Sequence, residues 1–109
     1  MGTEKIKYHK RLYLSECISR VDLMKLKHDL EKQPLKANVY LITISSNEQE
    51  MLDIYHSKYL IQKYYKERPP YVVGITKKKA EAFSLVEQMM QECVATRRDA
   101  DLRAYLVGE

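Results

Sequence analysis

Glycine is almost missing from the body of this chain: Gly2 and Gly108 lie at its ends, and only Gly74 falls inside. A phosphate cradle needs several glycines in a loop between a strand and a helix, so a nucleotide fold of that type is excluded. Within Val73-Gly74-Ile75 the glycine reads instead as a point where a helix or a neighbouring backbone comes close. Cysteine is equally scarce. Cys17 and Cys93 provide neither a disulfide framework nor a metal quartet, and His9 and His28 share no ligand spacing with them. No metal and no cofactor are expected, and a reducing cytoplasm is. No apolar run approaches the roughly 18–20 residues of a membrane span, and Met1 to Lys10 lack the apolar core of a secretory signal, so no membrane partner is expected. Tryptophan is absent and Phe83 is the one phenylalanine, which leaves the nine tyrosines to supply almost all the aromatic surface. The charge is mildly basic, 19 Lys and Arg against 15 Asp and Glu for a net +4. That excess is spread along the chain, as in a solvated surface.

What is present fits an α/β fold. At 109 residues, 45% apolar and 31% charged, the chain is one globular domain over 1–109, with a flexible start at 1–5 and a short docking helix and tail at 99–109. Leu12 and Leu14 alternate with Tyr13 and Ser15 as in a strand with one face buried, whereas His9-Lys10-Arg11 is too polar for a covered one. Ser19 can accept a hydrogen bond from an amide opening a helix whose stripe is Leu23, Leu26 and Leu30, and Pro34 ends that helix. Val39 to Ser45 is apolar on both faces, which marks an inner strand. Ser46 or Asn47 then caps a long helix from Met51 to Arg68, with acidic Glu48 and Glu50 at its start. Pro69-Pro70 breaks it, and Tyr71 to Ile75 is a short buried strand. Thr76 caps a last long helix, about Lys79 to Thr96, with Ala82, Phe83, Val86, Met89, Met90, Cys93 and Val94 on its apolar face. The order is βαβαβα, predicting a three-stranded, mainly parallel sheet packed with helices.

No catalytic motif emerges, and a non-enzyme is expected. Asp53 and His56 stand at a helical spacing that would let the carboxylate orient the imidazole, but no nucleophile accompanies them. Cys17 lies before a helix with Arg20 close by, at a spacing too short for a tyrosine-phosphatase phosphate loop. Thr76, Lys77, Lys78 and Lys79 form the loop at the carboxyl end of the third strand, where an anion or small molecule can be held. The run Lys58, Tyr59, Lys63, Tyr64, Tyr65, Lys66, Arg68 mixes cations with stacking rings, an alternative reading as a nucleic-acid surface. The expected long helix is apolar on two sides. One side packs on the sheet, and the other, with His56, Leu60, Lys63 and Tyr64, is predicted to meet a second copy in a homodimer.

The segment LDIYHSKYLIQKYYKERPPYVVGI, with the VYLITIS strand before it, resembles a group of small uncharacterised bacterial proteins. That resemblance covers the central third of the chain. It implies a bacterial, cytoplasmic setting and assigns no activity, partner or site residue. The expectation from the sequence is therefore a self-associating interaction module.

Overall fold

A computed structural model describes residues 6–45 and 51–107. Residues 1–5 and the expected helix start at Ser46, Asn47, Glu48 and Glu50 lie outside them. The elements run β1 (Lys7–Leu14), α1 (Leu23–Lys32), α2 (Pro34–Ala37), β2 (Tyr40–Ile44), β3 (Leu52–His56), a 3-10 helix (Ser57–Ile61), α3 (Lys63–Glu67), β4 (Tyr71–Thr76), α4 (Lys79–Arg97) and α5 (Leu102–Val107). The strands form one mixed sheet of four in the order β1-β4-β2-β3. β4 is parallel to β1, with Lys7 opposite Tyr71 and Leu14 opposite Ile75. β2 is antiparallel to both β4 and β3.

This is a small α/β domain, but the expected three-stranded, mainly parallel sheet is corrected to four strands of mixed direction. The expected long helix from Met51 to Arg68 does not exist. Its first turns are β3, which pairs with β2 in unbroken register from Tyr40 opposite His56 to Ile44 opposite Leu52. Leu52, Ile54 and His56 alternate with Asp53 and Tyr55, so the period of two prevailed over the spurious helical spacing. His9-Lys10-Arg11, too polar for a covered strand, lies within β1 with Lys10 and Arg11 exposed. β1 is an edge strand, where charged side chains are tolerated and block further pairing. α1 ends at Lys32, just short of Pro34, which opens α2 from its first position.

Side chains alternate across the sheet except at an irregularity in β4 that sets Val72 and Ile75 on one face, and helices cover both faces. Leu12, Val39, Leu41, Val72 and Ile75 pack with Leu30 of α1, Ala37 of α2 and Leu60 of the 3-10 helix. On the other face Ile42 and Val73 pack with Ala82, Met89 and Cys93 of α4 and Leu102 and Leu106 of α5. Leu102 and Leu106 of the last helix are both buried in this layer. Gly74 explains itself: a Cβ there would stand 2.9 Å from Ile42 Cδ1, 3.3 Å from the Tyr13 carbonyl oxygen and 3.4 Å from Met89 Cε. Neighbouring strands and a helix converge on it. No helix among the described residues is long and apolar enough to cross a membrane.

Candidate functional site

β1 and β4 lie side by side and parallel, yet the chain leaves them in opposite directions. After β1 it enters α1 on one face of the sheet, and after β4 it enters α4 on the other. Diverging helices of this kind leave a crevice beyond the carboxyl ends of the two strands. A cavity of about 260 Å³ lies there, bounded by Cys17 and Ile18 after β1, Asp22 just before α1, Lys25, Leu26 and Asp29 on α1, Lys36 and Ala37 on α2, and Lys77 after β4. Lys25 Nζ stands 3.7 Å from Asp29 Oδ2, and Asp29 is buried. The Ser19 hydroxyl donates to Asp22 Oδ2 at 2.9 Å. The ammonium groups of Lys36 and Lys77 have no hydrogen-bond or ion-pair partner among the described residues.

Of the four residues expected to hold an anion, Lys77 alone lines this cavity. Thr76 is buried at the end of β4, and its hydroxyl donates to the Lys78 carbonyl at 2.8 Å, so it does not cap α4 as expected. The cap comes from Glu81 instead. Its Oε1 accepts from the backbone N–H groups of Lys77 and Lys78, each at 3.2 Å. A carboxylate from the helix's own first turn thus offsets the lysines crowded against the positive end of the dipole. Lys78 and Lys79 are exposed. Lys25 and Lys36 complete the cationic set, and neither carried a signal in the local sequence.

The expected interface residues do not share one outer face. Leu60 is only 6% exposed and belongs to the core, while Tyr64 on α3 is 44% exposed. Lys63 pairs with Glu67 at 3.8 Å in solvent, a contact of little energetic weight. His56 ends β3 and caps the 3-10 helix: Nδ1 accepts from the Lys58 N–H at 3.0 Å, and Nε2 lies 3.0 Å from Asn38 Oδ1. The accepting Nδ1 puts the proton on Nε2, which donates to Asn38. Burial, reinforced by the charge on Lys58, lowers the pKa of this imidazole. Asp53, three residues earlier on a strand, points to the opposite face, so no Asp-His dyad forms.

The basic-aromatic run is divided between the 3-10 helix and α3. Lys58 lies over Tyr59 at 5.5 Å, Arg68 over Tyr64 at 5.1 Å, and Tyr65 packs on Tyr55 with ring centroids 5.1 Å apart. Those rings are therefore already engaged within the chain. Both cysteines are free thiols. The Cys17 thiol donates to Glu81 Oε2 at 3.8 Å, and Arg20 turns away to the Leu12 carbonyl at 3.2 Å. Cys93 is buried on α4 as expected, and burial raises its pKa. The described residues contain no cluster of His, Cys, Asp and Glu able to hold a metal ion.

One further surface stands out on α4. Its expected apolar face divides: Ala82, Met89 and Cys93 are buried against the sheet, but Phe83 is 56% and Val94 46% exposed. Met90 is half-buried beside Val94, in a shallow hollow also bounded by Glu87, Gln91 and Ala95. Phe83, Glu87, Met90 and Val94 follow one another at helical spacing along a single outer stripe. Comparison of the chain with protein-family models, with curated proteins and with solved structures finds no match.

Proposed function

We propose that this protein is a non-enzymatic, self-associating interaction module, and that two copies meet through the outer stripe of α4. The observation that carries the reading is the pair of exposed apolar side chains, Phe83 and Val94, on a helix whose inner side is already packed. A helix apolar on two sides has two surfaces to cover. The sheet covers one, and a second copy covers the other. Antiparallel packing of the stripe on itself sets Phe83 against Val94 of the second copy. The same two-fold axis sets Glu87, through its aliphatic stem, against Met90, so each contact is made twice. Full burial of a side chain such as Phe or Val contributes about 1.5–3 kcal/mol, and the doubled set makes a modest, concentration-dependent dimer. The unbonded cysteines and the resemblance of the central segment support a bacterial cytoplasmic setting for it.

The test is sedimentation velocity on the wild-type protein and on a Phe83→Glu, Val94→Glu variant. The wild type should sediment as a dimer and the variant as a monomer with an unchanged far-ultraviolet circular dichroism spectrum, since both side chains lie outside the core. A wild-type protein that remains monomeric at hundreds of micromolar would overturn the reading.

A further inference from the structure

We propose that the crevice beyond β1 and β4 binds a small phosphate monoester, its dianionic phosphate held between Lys36 and Lys77. These two lysines come from different elements, α2 and the loop after β4, and line one cavity, and neither ammonium has an ion-pair partner among the described residues. Like charges gathered at one cavity repel each other, and a dianion relieves that repulsion. Lysine, a compact point charge with three donors, suits a phosphate. Three lysines and two carboxylates line the cavity, an excess of one positive charge: Asp29 is paired with Lys25 at 3.7 Å, and Asp22 accepts from the Ser19 hydroxyl at 2.9 Å.

One further feature favours a ligand here. The location is where a parallel pair of strands with diverging helices ordinarily receives one.

The cavity also restricts the class of ligand. At about 260 Å³ it lies just below the range of ordinary ligand pockets, and no aromatic ring lines it. A nucleobase would find nothing to stack on. Ile18, Leu26 and Ala37 offer apolar wall instead, enough for a short carbon skeleton such as that of a triose or glycerol phosphate. The site is separate from the outer stripe of α4, so its failure and that of self-association are independent outcomes.

The experiment is an amide NMR titration of the full chain with glycerol 3-phosphate, at ionic strength held constant with sodium chloride. Glycerol serves as the uncharged control. Saturable shifts are expected at Ile18, Ala37 and Lys77, with none from glycerol. Lys36→Ala and Lys77→Ala should each weaken binding about tenfold or more, the loss expected of a hydrogen bond to a charged group. Lys79→Ala, outside the cavity, should bind as the wild type does. All three side chains are in solvent, so each variant should retain the wild-type spectrum. Shifts that never saturate, that spread evenly over the lysine-bearing surface, or that survive in the Lys36→Ala, Lys77→Ala double variant would overturn the proposal.

Discussion

At the scale of single residues, His56 is the most informative. Its sequence context suggested a base, but its geometry makes it a structural cap that works only when neutral. Nδ1 must keep its lone pair to accept from Lys58 N–H, and protonation there removes the acceptor. Burial and the Lys58 ammonium both lower the imidazole pKa below its ordinary 6.5. The folded state thus binds this proton less readily than the unfolded chain. The resulting stabilisation is fully present above the unfolded pKa and is lost as pH falls through the lowered folded value. An NMR titration of the His56 ring should therefore give a midpoint below 6.5, with the Lys58 amide losing exchange protection over the same pH window. A midpoint at or above 6.5 would show that the cap does not form.

At the scale of elements, the junction between β3 and the 3-10 helix is held by Ser57, which is fully buried. Its hydroxyl donates to the Pro34 carbonyl at 2.9 Å and accepts from Val39 N–H at 3.3 Å. Its own N–H donates to the Val39 carbonyl at 2.8 Å. One small side chain thus ties the start of β2 to α2 and to the end of β3. Ser57→Ala leaves the buried Val39 N–H without an acceptor, a loss of about 1–3 kcal/mol. A lowered urea midpoint at unchanged slope would register it, and a variant as stable as the wild type would contradict it. This junction also shows what local sequence conveys. β2 and β4 were legible as short runs of β-formers, and α1 and α4 as stretches with apolar residues at helical spacing. β3 was not. Five alternating residues followed by Tyr59, Ile61 and Tyr65 satisfy helical spacing by accident, and only pairing with β2 decides between the two periods. The crevice shows the same division. Lys77 was legible because it follows a strand, whereas Lys25 and Lys36 reach the cavity only through the packing of α1 and α2 over the sheet.

At the scale of the whole molecule, the two exposed surfaces have different physical characters. The proposed self-association through the stripe on α4 depends on apolar contact and should be little affected by salt, whereas the proposed binding by the crevice lysines should weaken as ionic strength screens them. The sheet order has a further consequence, for the time course of folding. β4 sits between β1 and β2, but it is the last strand to be made. Until Tyr71 to Thr76 emerges from a ribosome, β1 and the β2-β3 hairpin have no strand between them, and their inner edges stay open. Joining Lys7 to Tyr71 closes most of the chain into one loop, and long-range pairings of that kind slow folding. A fragment ending at Pro70 should accordingly remain without a cooperative unfolding transition, and a separate peptide spanning 71–107 should restore one on mixing. A fragment that melts cooperatively by itself would show that the two halves of the sheet are independent. At about 5–20 residues per second, synthesis leaves those open edges waiting for seconds, so the interval before β4 arrives is when this chain is most exposed to strand pairing with its neighbours.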